Sequence, residues 1–283
     1  DCNSRYCYLD PYTGSAIAVA EAARNVVCSG AEPAAVTDCL NFGNPEKPEI
    51  FWQFRQAVEG ISAACRAFGV PVISGNVSFY NESQGVAIYP TPAIGVLGVI
   101  EDIERRCTSF FKNDGDAVVV LGFNGPGLDG SEYLKALHGR VAGCPSLDLD
   151  KEKRLQACCL KAIRSGLLAS AHDIAEGGLA VALAESCFNT EGSHGVSVEI
   201  SSDGLRQDDA LFGEAQSRIL VSLAPSKLDK LMKLAAEHDV PLMVIGAVGG
   251  SNLIIDLDES RVIDLQIEKI ESAWRGSIEE ALA

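Results

Sequence analysis

The chain has 283 residues, of which 47% are hydrophobic and 22% charged, and its formal net charge is −16. That length holds one large domain or two ordinary ones, with the composition of a soluble globular protein. The acidic balance argues against a general nucleic-acid or anionic-membrane surface, although backbone amides and Mg²⁺ can still hold a phosphate ligand.

Gly14 to Gly30 reads as a helix ending in a glycine cap, with Ile17, Ala20 and Val27 near one face. A strand follows from Ala34 to Leu40 and runs into Asn41-Phe42-Gly43-Asn44-Pro45. Asp38 is a carboxylate inside that otherwise small and apolar run. Asp38 and Asn44 read either as ligand groups or as Asx side chains bonding their own backbone. Glu46 to Phe68 is a long helix whose buried side is marked by Trp52, Val58, Ile61, Cys65 and Phe68, with Gly69 as terminator.

Val70 to Ile73 then opens as a buried strand and changes character within three residues. Gly75 allows a ligand to approach the backbone. Asn76 and Ser78, two positions apart, share one face if the strand continues. Polar groups converging at the end of an apolar strand are costly unless something binds them, so this bend reads as a ligand site, with a structural bend as the alternative. Extended segments at Val86–Tyr89 and Thr91–Ile100 complete a four-stranded sheet with two helices on one face. The bare face must meet another surface.

Glu101 to Gly115 is polar and carries the domain boundary, placed at residues 104/105. Asp116–Leu121 is a strong strand, and the glycine-rich Gly122–Gly130 precedes a helix at Ser131–His138. Such a loop can cradle phosphate, but it matches neither the Walker nor the dinucleotide pattern, and a plain flexible loop is favoured. Further helices are expected at Leu155–Ser165, Leu179–Cys187, Lys227–His238 and Ile267–Ala281. Strands are expected at Leu167–Ala171, Val196–Ile200, Arg218–Leu223, Leu242–Val248 and Leu253–Leu257. His172 beside Asp173 suggests a proton-transfer pair, but adjacent side chains do not converge in regular structure, so a capping or turn role is favoured. Glu214 and Gln216 share a face at a strand entrance and read as a ligand clamp or as structure. His138, His194 and His238 read as surface residues. The ten cysteines form no Cys-x-x-Cys pair and read as free thiols, mostly buried. No apolar run is long enough for a membrane span and no signal peptide is visible; starting without Met, the chain reads as a piece of something longer.

Taken together, Val36–Pro45, Ser74–Ser78, Ala171–Leu179 and the closing Ala273-Trp274-Arg275-Gly276 resemble the carboxy-terminal half of phosphoribosylformylglycinamidine synthase of the small, multi-subunit type. That family belongs to a superfamily with aminoimidazole ribonucleotide synthetase and selenophosphate synthetase. The resemblance implies an α+β protein of two domains, residues 1–104 forming a sheet-pairing domain and 105–283 a larger α+β sandwich. It implies that Asp38 and Gly75 contact ATP, Asn76 a Mg²⁺ ion and Ser78 the phosphorylated substrate. The implied reaction is an ATP-dependent ligation of glutamine-derived ammonia to formylglycinamide ribonucleotide, in the cytoplasm, with a glutaminase subunit and a small bridging subunit as partners. The catalytic histidine is expected in an amino-terminal half that this chain lacks, so the chain alone is expected to turn over little and to dimerise through its bare sheet. A non-catalytic structural or nucleotide-sensing module, or a sibling acting on another phosphorylated substrate, is the alternative. The Gly122–Gly130 loop departs from the family pattern.

Overall fold

The computed structural model describes residues 1–190 and 192–282. The first domain begins with α1 (Ser4–Leu9), α2 (Pro11–Cys28), β1 (Glu32–Asn41) and α3 (Pro48–Phe68). It continues with β2 (Val72–Ser78), β3 (Glu82–Ser83), β4 (Val86–Ala87) and β5 (Thr91–Val99). The main sheet has three strands in the order β2-β1-β5, with β1 parallel to β2 and antiparallel to β5. The expected fourth strand at Val86–Tyr89 shrinks to β4 and pairs with β3 in a separate hairpin, because the turn at Gln84 and Gly85 folds the segment back on itself.

Asp10 starts α2 by accepting the backbone N–H groups of Tyr12 and Thr13, with Pro11 at the first helical position. Fourteen of the eighteen α2 residues are buried, so this alanine-rich helix is packed on nearly every side. The buried stripe of α3 is Ile50, Ala57, Ile61, Ala64 and Cys65, and Trp52 and Val58 are exposed instead of marking its inner side. Small residues win that position because α3 closes tightly on the α1–α2 corner, where Gly60 lies against the Tyr12 carbonyl. One face of the sheet lies on these helices through Val36, Leu40 and Ile94. Thr37, Cys39, Ser74, Asn76 and Leu97 alternate with that set and point to the other, bare face. Beyond Val70, β2 is an exposed edge strand and not the buried strand its β-branched start suggests.

The second domain contains β6 (Ala117–Gly122), α4 (Glu132–His138), α5 (Leu149–Arg164), β7 (Ser170–Asp173), α6 (Gly178–Cys187) and β8 (Val196–Ile200). It continues with α7 (Gln207–Phe212), β9 (Arg218–Leu223), α8 (Leu228–Glu237), β10 (Leu242–Val248), β11 (Asn252–Leu257), β12 (Ser260–Gln266) and α9 (Ile267–Leu282). Seven strands form a mixed sheet in the order β12-β11-β8-β10-β6-β9-β7. Val118 and Val120 face a core with α6, whereas Val119 and Leu121 face one with α5 and α8. A strand covered on both sides must be apolar throughout, which explains the unbroken run of β6. The segment before it is not purely a polar linker, since Cys107 and Phe111 are buried. All ten cysteines are free and seven are buried; Cys39, in an apolar segment, is exposed on the bare sheet face.

The two domains are joined by a buried ionic tie. Arg24 of α2 donates from Nε to Glu152 of α5 at 2.8 Å and from Nη2 to Gln216 at 2.8 Å. Ser217 and Gln156 donate to the same carboxylate at 2.6 and 2.8 Å. Both charged side chains are fully buried. No described helix is long and apolar enough to cross a membrane.

Candidate functional site

The expected ligand groups lie on two neighbouring strands. Parallel register sets Asp38 beside Gly75, Cys39 beside Asn76 and Asn41 beside Ser78. The Asp38 carboxylate lies over Gly75, where any Cβ would collide with it. Glycine is therefore required here by the close approach of a side chain, whether or not a ligand comes near. Burial raises the Asp38 carboxyl above its usual range, and the Asn76 backbone N–H facing it works the other way.

The side chains do not all converge. Asp38 belongs with Val36 and Leu40 on the helix-covered side, half-buried near Cys65. Asn76 is on the bare side, where its Nδ2 meets Cys39 Sγ at 3.8 Å. A strand's period of two separates neighbours in this way, and only the Asn76 backbone joins the two groups. Gly75 to Ser78 is also not a bend: β2 runs on through Ser78 because its pairing with β1 continues to Asn41. The reversal comes afterwards, where Tyr80 adopts φ +59° and its N–H donates to Gly43 O at 3.0 Å.

Ser78 shares the parity of Asn76, but its hydroxyl is engaged by Asn81, at 3.3 Å to Oδ1 and 3.1 Å from Nδ2. The same Asn81 amide donates to Phe42 O at 3.0 Å and Ser78 O at 2.9 Å. Asn81 thus holds the ends of β1 and β2 together, a role the sequence reading missed. Its position in a polar turn three residues after Ser78 was the available signal. Thr37 and Ser74, which also escaped notice, share a hydroxyl contact of 2.7 Å on the bare face. Asn44 follows the turn reading, accepting Glu46 N–H at 2.8 Å.

Three other candidates resolve into structure. Glu214 Oε1 accepts the backbone N–H groups of Glu132 and Gly177 at 2.7 and 2.9 Å, and its Oε2 accepts the Tyr6 hydroxyl. It is a hub linking α1, α4 and the loop after β7, while Gln216 serves Arg24. The glycine-rich loop is similarly occupied, since Gly127 N–H donates to Asp209 Oδ1 at 2.8 Å. Carboxylates of the chain itself thus sit where an anion would have to bind. His172, contrary to expectation, does reach its neighbour: Nδ1 lies 3.2 Å from Asp173 Oδ1 and Nε2 2.9 Å from Glu185 Oε2. Both residues are paired within β7, opposite Leu220 and Ile219, at its last two positions. Burial lowers the imidazole's proton affinity, but the two carboxylates outweigh it and raise the pKa to about 10. A group held as imidazolium between two acids is an anchor and not a base. His194 forms a partly exposed pair with Asp114 at 2.9 Å, and His138 is exposed.

The AIR synthase related protein family matches in two parts, its N-terminal domain over residues 1–100 and its C-terminal domain over residues 113–257. The phosphoribosylformylglycinamidine synthase subunit PurL of Caldanaerobacter subterraneus subsp. tengcongensis is 53% identical over 98% of this chain. That of Moorella thermoacetica is 52% identical over the whole of this chain. The chain spans 38% of the length of each of these relatives. Among solved structures, T. maritima PurL complexed with FGAR superposes with a TM-score of 0.78 at 22% identity, covering 95% of this chain and 44% of that one. The hydrogenase maturation protein HypE gives 0.64 at 17% identity, covering 94% and 86%. These likenesses carry the fold. The chain is a PurL-like segment that belongs to the AIR synthase related protein family and contains both of its domains.

Proposed function

We propose that this chain is the carboxy-terminal half of a phosphoribosylformylglycinamidine synthase, dividing near residues 104/105 and supplying one wall of its ATP site. The observation that carries the reading is the edge of β2, where the Asp38 carboxylate covers Gly75 and the exposed Asn76 follows directly. In support, about half of the residues are identical to PurL subunits, and a T. maritima PurL has been seen complexed with ATP. Because β2 is an edge strand, a nucleotide lying along it meets Asp38 on one side and Asn76 on the other.

The donor set fits Mg²⁺ in type. With Nδ2 turned to Cys39, the Asn76 amide keeps its oxygen, a hard neutral donor. Bound Mg²⁺ would neutralise phosphate charge. One amide oxygen is far from an octahedral shell, so phosphates and the missing half must provide the rest. Asp38 orients the nucleotide from the covered face, and Gly75 keeps the backbone open. Ser78 would turn its hydroxyl from Asn81 to the substrate. In the whole enzyme, ATP activates the amide oxygen of formylglycinamide ribonucleotide and ammonia displaces phosphate, yielding the amidine, ADP and phosphate. Positioning and charge neutralisation carry such a transfer. The amino-terminal half, a glutaminase subunit and a small bridging subunit complete the assembly, in the cytoplasm. The bare sheet face is where the other half, or a second copy of this one, packs.

The placement of Asp38 and Asn76 on opposite faces favours a second reading, a module that binds nucleotide without turnover. The test is calorimetric titration of Mg-ATP into the protein carrying both halves, with Asp38→Ala and Asn76→Ala, alongside turnover with ammonia. The ligase reading expects both variants to lose turnover, Asp38→Ala with weakened nucleotide affinity, and the half-chain alone to be inactive. Wild-type affinity and turnover in both variants would overturn it. Nucleotide binding without turnover in the two-half protein would establish the binding module.

A further inference from the structure

We propose that the cavity between the second sheet and helices α6 and α7 binds a small carboxylate with an apolar body, its charge held by Arg218. The cavity measures about 190 Å³. Val120 of β6, Ile200 of β8 and Met243 of β10 wall it from the sheet, and Leu179 of α6 and Ala210 of α7 from the helices. Arg218, the first residue of β9, lines it as well. All of these lie in the second domain, so the cavity is independent of the nucleotide site read on β2.

An apolar hole alone would be a packing flaw; the guanidinium makes it a site. Arg218 is 4% exposed. Its Nε donates to Ala215 O at 3.0 Å and its Nη2 to Gly213 O at 2.5 Å. Nη1 makes no hydrogen bond with any described residue, and it stays open to the cavity that Arg218 lines. No carboxylate of a described residue comes within 4.0 Å of the group. Asp209 and Glu214 act on it only from farther away, and both are engaged: Asp209 Oδ1 accepts Gly127 N–H, and Glu214 accepts Tyr6, Glu132 and Gly177. The other buried guanidinium, Arg24, has Glu152 as its counter-ion. A buried cation without one is among the costliest arrangements in a fold. Burial accordingly pushes the Arg218 pKa down to about 10, with Arg24 acting in the same direction.

The missing counter-charge calls for an anion, and the walls call for an apolar body behind it. Size limits that body, since about 150 Å³ of apolar cavity holds one benzene ring. A phosphate dianion would leave most of its oxygens against apolar walls. A monocarboxylate places one oxygen on Arg218 Nη1, while Asn124 and Ser201, the other polar side chains of the lining, can donate to the second. The ring or branched chain then covers Val120, Leu179 and Met243.

The experiment is NMR titration of the full chain, labelled with ¹³C at its methionine methyls, with benzoate, its neutral isostere benzamide, and inorganic phosphate. The chain has two methionines. Met243 is in the cavity wall, and Met232, on α8 across the sheet, is the internal control. Benzoate should shift the Met243 signal saturably and leave Met232 in place. Benzamide should bind about tenfold more weakly or worse, because hydrogen bonds between charged groups are the strong ones. Phosphate should leave Met243 unmoved. Ala210→Leu, which fills the cavity from α7, should weaken benzoate by about tenfold or more through overpacking. Arg218→Met should abolish the preference for benzoate over benzamide; if that variant does not fold, the wild-type preference and Ala210→Leu still decide. No saturable Met243 shift with benzoate, equal affinity for benzamide, or unchanged benzoate affinity in Ala210→Leu would each overturn the proposal. So would saturable phosphate binding at Met243 in place of benzoate.

Discussion

Glu152→Ala should be among the most damaging single changes in the chain. It removes the partner of Arg24, whose side chain is fully buried and whose Nε and Nη2 lie 2.8 and 3.2 Å from the lost oxygens. The gross attraction does not set the loss; the penalty of a buried guanidinium left with Gln216 as its one hydrogen-bond partner among the described residues does, about 3–5 kcal/mol. Ser217 and Gln156 lose an acceptor as well. At about 2–4 °C per kcal/mol for chains of this size, melting should fall by about 6–20 °C. Urea unfolding at equilibrium gives the free energy, and calorimetry the temperature. The informative control is Arg24→Met with Glu152→Leu, which removes both charges and should recover most of the loss, since apolar replacement of a buried pair is often neutral. A Glu152→Ala loss under about 1 kcal/mol, within the range of surface ion pairs, would refute this account of the domain junction.

Gly60→Ala forces a Cβ into the Tyr12 carbonyl, which belongs to backbone and cannot swing aside. Despite alanine's better helix propensity, thermal melting should show a loss of about 1–3 kcal/mol through overpacking. His172 sets a pH dependence of opposite sense to acid denaturation. Its folded pKa of about 10 exceeds the ordinary 6.5, so its stabilisation is complete below about 6.5 and is lost as pH rises through 10. Unfolding free energies from urea titrations across that window should fall by about 1.4 kcal/mol per pH unit from this group. His172→Gln should flatten the slope, and an equal slope in the variant would assign it elsewhere.

Much of the second domain was legible because strands covered on both sides leave unmistakable apolar runs. Arg218–Leu223, buried throughout, falls where that pattern puts it, and Val196–Ile200, alternately buried and exposed, also lies where it was expected, as does Leu242–Val248. β12 was missed because Ser260–Gln266 is a largely exposed edge strand with charged residues and no buried stripe. α1 and α7 escaped because six residues are too few for a helical period to emerge. At the candidate site, the residues singled out by type and spacing fall on two paired strands, and only a glycine can lie beneath Asp38. Which face each side chain takes was not legible, because parity depends on where pairing starts and stops. Which of the two readings of Glu214 holds was not legible for a different reason. Its partners Tyr6, Glu132 and Gly177 are remote in sequence, and no local pattern announces a carboxylate that three segments share.

The uncovered side of the small sheet bears on how this segment behaves by itself. Leu97 stands 62% exposed there, on a sheet whose outer strand is unpaired along one edge. Such a surface favours contact with another apolar face, and the net charge of −16 opposes contact between copies of this chain. That repulsion reaches only about 10 Å at 0.1 M ionic strength and about 3 Å at 1 M. Any contact between bare sheets is therefore opposed most strongly in dilute buffer, and added salt removes that opposition.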